Sequence, residues 1–228
     1  MGFFMSCLFF LYICGLKTIM SIAAEKYKSG EVLPIMEHFY TIQGEGNFAG
    51  HPAYFIRLAG CDVGCVWCDV KESWDAEAHP DLSVSDLITQ IKKTPAKIVV
   101  VTGGEPAIYQ LQFLTDSIHQ AGLKTHIETS GAYSLTGSWD WVCLSPKKFK
   151  PTRLSVYKKA HELKVVIYNK HDFLWAEKHL ELVAKNCMLY LQPEWGRKDK
   201  IMPGIVDYVK NNPKWLISVQ THKYLNIP

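Results

Sequence analysis

From residue 52 onward, short apolar runs alternate with amphipathic stretches, which is the rhythm of parallel βα units. Runs at 53–58, 98–102, 125–128, 141–144, 163–168, 188–192 and 215–219 predict strands. Segments 85–93, 109–121, 172–184 and 205–211 predict helices, with Ser83 or Ser85 and Asp172 as caps. Between Cys68 and Ser83 no helical periodicity stands out, so the first βα unit is expected to be reduced. No repeat, low-complexity tract or long linker breaks the series, and 20–228 is expected to form one domain of the α/β class. In such folds the loops after the strands converge on one mouth, which is where a site is expected.

Residues 3–16 stand apart as an apolar run. The run is shorter than the roughly 20 residues that a membrane span needs. It is closer to a signal-peptide core, with 21–24 as a conceivable cleavage region, but the usual leading positive charge is missing. The expectation is a start assigned too early, with Met20 or Met36 as the beginning and 1–19 as a non-native extension. The chain has 228 residues, 48% hydrophobic and 21% charged, enough for one domain with a substantial core. A net charge of +3 without a dense Lys/Arg block argues against a nucleic-acid partner, and no membrane partner is expected. Seven cysteines are too few for a disulfide scaffold of this size.

Three of those cysteines, Cys61, Cys65 and Cys68, share one short segment in C-x3-C-x2-C spacing. Three thiolates so placed can hold three corners of a cubic 4Fe-4S cluster and leave the fourth iron open to a small molecule. Spacing alone leaves zinc open as well, with Cys143 or His79 as a distant fourth ligand. Gly103-Gly104-Glu105-Pro106 follows an apolar run, where glycines either let a ligand approach the backbone or simply turn the chain. Arg57 ends a predicted strand just before the cysteines, so it would face the mouth, where a guanidinium suits a carboxylate. Gly44-x-Gly46-x3-Gly50 has the wrong spacing for a dinucleotide loop.

The cysteine triplet with Trp67 before its last member, followed by Gly103-Gly104-Glu105-Pro106, resembles the radical S-adenosylmethionine (SAM) superfamily. Within it, an ordered set of segments is similar to the 7-carboxy-7-deazaguanine synthase family over roughly residues 36 to 228. The set comprises 40–46, Arg57, Cys68-Asp69, Glu128 to Gly131, Ser145-Pro146-Lys147, Gln192-Pro193 and the terminal 220–224 with Pro228. The resemblance implies a partial, open (β/α) barrel, modified and trimmed. It implies a 4Fe-4S cluster on Cys61, Cys65 and Cys68, and SAM held by Gly103, Gly104, Glu105, Ser130, Ser145, Pro146, Lys147, Gln192, Pro193, Glu194 and Trp195. The implied substrate, 6-carboxy-5,6,7,8-tetrahydropterin, would meet Ile42, Gln43, Gly44, Arg57, Thr102 and the terminal carboxylate of Pro228, with Glu45 in support.

In that chemistry a 5′-deoxyadenosyl radical takes the C6 hydrogen of the pterin, the ring contracts with loss of ammonia, and SAM is re-formed. No side chain is expected to be catalytic beyond that cofactor-derived radical. Also implied are a flavodoxin or ferredoxin as electron donor, a homodimer, a cytoplasmic location and a role in queuosine biosynthesis. The family carries magnesium on a hydroxyl residue after Cys-Asp, where this chain has Val70. Asp69 is left as the candidate magnesium contact, with Lys71 as a cation that could act in the ion's place. Two other readings stay open: a glycyl-radical activating enzyme, which would not predict the Gln43-Gly44-Glu45-Gly46 turn, and a non-catalytic zinc-binding module.

Overall fold

The computed structural model describes residues 26–228, and the expected extension at 1–19 lies outside them. Among the described residues, nine strands form one open sheet. They are β1 (Val32–Ile42), β2 (Pro52–Leu58), β3 (Asp81–Ser83), β4 (Ile98–Gly103), β5 (Lys124–Thr129), β6 (Trp141–Leu144), β7 (Glu162–Ile167), β8 (Met188–Pro193) and β9 (Leu216–Ile217). The spatial order is β3-β1-β2-β4-β5-β6-β7-β8-β9. Strands β2 to β9 run parallel, while β1 is antiparallel to both β2 and β3. The helices are α1 (Val84–Ile91), α2 (Gln112–Gln120), α3 (Leu154–Tyr157), α4 (His171–Glu177), α5 (Lys198–Asn211) and α6 (Thr221–Leu225). Among the described residues no helix is long and apolar enough to cross a membrane.

Strand periodicity gives the sheet two different faces. In β7, Leu163, Val165 and Ile167 join the main core, whereas Glu162, Lys164 and Val166 point the other way. The main core continues through Ile56, Leu58, Val99, Val101, Ile127 and Leu144 beneath the helices. The opposite face begins with a small apolar cluster of Ala53, Phe55 and Val100. From β5 onward it turns polar, with buried His126, Glu162, Lys164 and Gln192.

All seven predicted strands are present, and no α-helix interrupts the segment between Cys68 and Ser83, which holds a 3-10 turn (Lys71–Trp74) and β3. Ser83 rather than Ser85 caps α1, its hydroxyl accepting from Asp86 N at 3.1 Å, and Val84, Leu87 and Ile91 bury one helical stripe. The expected helix over 172–184 is only α4, and Asp172 is not its cap. That carboxylate turns back to accept from Tyr168 N at 2.7 Å and Asn169 N at 2.9 Å, with Lys148 as its ion-pair partner. The helix expected at 205–211 starts earlier, at Lys198, with Pro203 inside it. Strands β1 and β3 and helices α3 and α6 had no counterpart among the predicted elements. In β1 the pattern is broken by Pro34, whose carbonyl still accepts from Ala59 N at 2.9 Å, and by a register shift between Ile35 and Glu37.

Leu33 on β1 is fully buried in the main core. Leu33→Ala is therefore expected to destabilise by about 2–5 kcal/mol. By contrast Leu174→Ala, at a side chain 70% exposed, should stay within about 0.5 kcal/mol of the parent. Anaerobic urea denaturation of the two variants checks the contrast.

Candidate active site

The C-terminal ends of the parallel strands open into a cavity of about 380 Å³. The cysteine loop, the ends of β4, β5 and β8, the loop after β1 and the C-terminal segment all line it. Every residue expected to hold the cluster, SAM, the pterin or magnesium lines this cavity except Pro146. Lys71 does not line it either, and its ammonium stands over the Trp74 ring at 5.9 Å from the centroid.

The cysteine loop is fastened by its backbone. Gly60, at φ +95°, donates to Ser73 O at 2.6 Å, and Cys61 N donates to Trp74 O at 3.1 Å, so the 3-10 turn props the loop. A further bond from Cys68 N to Cys65 O at 3.1 Å tightens the triplet. All three thiols are free. Burial pushes the Cys65 thiol up to about 11 and raises Cys61 as well, so a metal centre bound there would release their protons. The proposed fourth ligands for zinc are elsewhere. His79 bonds to Glu72 O at 2.8 Å, Cys143 is buried against Glu162, and neither lines the cavity. Among the described residues no group of three or more His, Cys, Asp or Glu could hold a single metal ion. Soft donors on one side of an open cavity fit an iron–sulfur cluster with a free corner better than a closed zinc site.

Next to the loop, Glu105 proves to be a structural knot. Its buried carboxylate accepts from Ala107 N at 3.0 Å, Ser130 N at 2.8 Å and the hydroxyls of Thr129 and Ser130. Four donors occupy both oxygens, so the side chain ties the end of β4 to the end of β5 instead of reaching for a ligand. The two glycines before it also have a nearer reason than ligand approach. A Cβ on Gly103 would stand 2.1 Å from Leu58 O, and one on Gly104 would stand 2.3 Å from Gly60 O. The end of β4 lies flush against the cysteine loop, and only glycine fits there.

The floor of the cavity is charged. Lys164, buried on β7, pairs with Glu45 and lies 3.5 Å from Glu128. Burial alone would lower its pKa, but Cys143, Glu128, Glu45 and Glu162 outweigh that and hold the ammonium well above its ordinary value. Burial likewise works against the Glu45 carboxylate, yet Lys164 and Gln220 bring it down to about 2. Gln43 donates to Glu128 at 2.9 Å and accepts from Glu45 N at 3.1 Å, so both ends of its amide are fixed. Lys164 was not among the residues expected here, and Glu128 was named only within the resembling segment 128–131. The available signal was the alternation of Glu162, Lys164 and Val166 against Leu163, Val165 and Ile167, which marks an inward polar face.

Around the rim, Arg57 and Thr102 are register partners on β2 and β4. The Arg57 Nε donates to Glu37 at 2.6 Å, which fixes the guanidinium while it lines the cavity. Lys147 donates to Ser145 and stands over the Trp67 ring at 5.5 Å, and burial lowers its pKa. Gln192 accepts from Ser218 at 2.7 Å. From the C-terminal segment, Gln220 reaches Glu45 at 2.9 Å, and Lys223 reaches Asp69 at 2.6 Å.

This arrangement has relatives. The radical SAM superfamily profile matches residues 55–167. A 7-carboxy-7-deazaguanine synthase from Flavobacterium psychrophilum is 58% identical over 209 residues, covering 92% of this chain and 98% of its own length. One from Synechocystis sp. is 45% identical, covering 85% and 93%. A crystal structure of QueE from Escherichia coli superposes with a TM-score of 0.78 at 32% identity, covering 86% of this chain and 97% of that one.

Two outcomes are expected of this framework. Glu105→Gln puts an amide among four donors, so at least one buried donor loses its acceptor. The expected destabilisation is about 1–3 kcal/mol by anaerobic denaturation. Phe48 from the loop after β1 packs edge-on against His126, whose buried imidazole is held down at about 4. A histidine lowered on folding contributes stability that is complete above its unfolded value, about 6.5, and declines as pH falls toward about 4. His126→Phe should therefore raise the melting temperature relative to the parent at mildly acidic pH and not at neutral pH.

Proposed function

The chain belongs to the 7-carboxy-7-deazaguanine synthase family of radical SAM enzymes, and from that premise we propose how its cavity divides between cofactor and substrate. The reaction converts 6-carboxy-5,6,7,8-tetrahydropterin to 7-carboxy-7-deazaguanine with loss of ammonia, in queuosine biosynthesis. Neither a glycyl-radical activating role nor a zinc-binding module is favoured. The observation that carries the division is the meeting, in one cavity, of three free thiols, the Glu105 knot and Arg57.

On the cofactor side, Cys61, Cys65 and Cys68 would hold the cluster. When bound, the cluster and SAM supply the one-electron chemistry that starts the ring contraction. The chain's part is to bind, orient and exclude water. Gly103 and Gly104 offer backbone groups beside the cysteine loop, with Glu105 acting as their anchor. Ser130, Ser145, Lys147 and the stretch from Gln192 to Trp195 complete this half, supported by their common place in the cavity wall. Trp67 and Trp195 give it apolar surface.

On the substrate side, Arg57 would take the pterin carboxylate through nitrogens that Glu37 leaves free, beside Thr102. Glu128, with lone pairs beyond those used by Gln43, is suited to the N–H edge of the pyrimidine ring. Ile42, Gly44 and Pro228 bound the same half. An external one-electron donor of flavodoxin or ferredoxin type would approach the cysteine loop, where Val66 is 69% exposed. A cytoplasmic location suits thiols and a cluster that must stay reduced.

An anaerobic assay with SAM, a reductant and the carboxytetrahydropterin is expected to yield 7-carboxy-7-deazaguanine. SAM consumption without that product would refute the substrate assignment. In the same assay Arg57→Lys, which keeps the charge but not the fork, should lower kcat/KM by roughly 10–100-fold, chiefly through KM. SAM binding should be unchanged.

A further inference from the structure

The family's magnesium does not fit the residues present in this chain. Magnesium wants near-octahedral hard oxygen ligands, and Val70 offers none at the position after Asp69. The hydroxyl of nearby Ser73 donates to the Val70 carbonyl at 2.7 Å. Asp69 itself is engaged, since its Oδ2 accepts from Lys223 Nζ at 2.6 Å and lies 3.5 Å from Gln220 Nε2. A dication at that oxygen would have to displace an ammonium already in contact with it.

We propose that Lys223 is the resident cation of the pterin pocket, and that substrate binding in this chain needs no divalent metal. The proposal rests on the reading of this cavity as a pterin site. Asp69 and Lys223 both line it. Lys223 arrives from α6, its ammonium lies 5.0 Å from the Trp195 ring centroid, and Asp69 accepts one of its three N–H bonds. Two donors are left for an oxygen of the substrate, on the same side of the cavity as the position a magnesium ion would need. Lys71, the cation suggested by the sequence, is excluded by its place outside the cavity lining. A lysine there supplies a point charge with rotatable donors where an ion would impose a fixed shell of ligands.

The test is anaerobic calorimetry of the carboxytetrahydropterin binding to reconstituted, SAM-loaded enzyme, in chelator and in millimolar magnesium. The Kd is expected to agree between the two within about twofold, and Lys223→Met should weaken binding by about tenfold or more, with iron content and SAM affinity unchanged. Adding a hydroxyl in Val70→Thr/Lys223→Met should make binding respond to magnesium. Parent binding that tightens by about tenfold with magnesium, or a Lys223→Met variant with unaltered Kd, overturns the proposal. If Lys223→Met fails to fold, the parent's response to magnesium decides alone. Enzyme that binds SAM but takes no pterin under any condition sinks the pterin reading and this proposal with it. Binding that demands magnesium sinks this proposal and leaves the pterin reading standing.

Discussion

Lys164 is the charge around which the interior of this protein is arranged. An ammonium in the middle of a strand, 3% exposed, would be driven to lose its proton were it alone. Here it is matched by Glu45, Glu128 and Glu162, of which Glu162 is itself buried. Buried ion pairs of this kind add little net stability, because desolvation offsets most of the attraction. What the pair contributes is position. Glu45 belongs to the loop after β1 and also bonds to Gln220, so one cluster of charges joins the first loop, the seventh strand and the last helix.

Glu105 solves the complementary problem without a cation. Four donors surround its carboxylate, which is the other way to keep a charge inside a protein. The consequence is rigidity between β4 and β5 directly behind the cysteine loop, while Gly103 and Gly104 let that loop sit against the strand end. The thiols are thus presented on a loop that Gly60 N, Cys61 N and Cys68 N tie to the protein.

Much of this was legible in the sequence, because parallel strands and their following loops leave strong marks. The apolar runs located β2 and β4 through β9, and the motifs after them met in one cavity. What stayed hidden has physical causes. β1 carries Pro34 and a bulge, so it lacks the even alternation of a strand. Asp172 looked like a cap because acids favour helix starts, but it bonds backward to the turn before α4. Lys164 drew no expectation, since alternation tells that two faces differ and not whether the polar one meets water. Glu105 lies in the expected cavity, and its bonds to Ala107, Thr129 and Ser130 were not legible, because a motif is silent on which neighbour needs a residue.

The sheet is open, and scattered hydrogen bonds rather than a backbone ladder close it. β9 has only two residues and pairs with β8 alone, so among the described residues no strand bridges back to β1 or β3. Instead Ser218 meets Gly46 N at 3.0 Å, Thr221 N meets Gly44 O at 2.9 Å, and Gln220 and Lys223 reach Glu45 and Asp69. His222 packs so closely on Gly44 that a Cβ there would stand 2.2 Å from its ring. Joining segments this far apart in the chain costs a loop-closure entropy that grows only logarithmically with length, but it must be met before the contacts can hold. The cavity wall is therefore finished by contacts between segments as much as 175 residues apart. A ligand that touches both the first loop and the last helix would bind a surface that exists only when those two are joined, and by mass action it would stabilise the join.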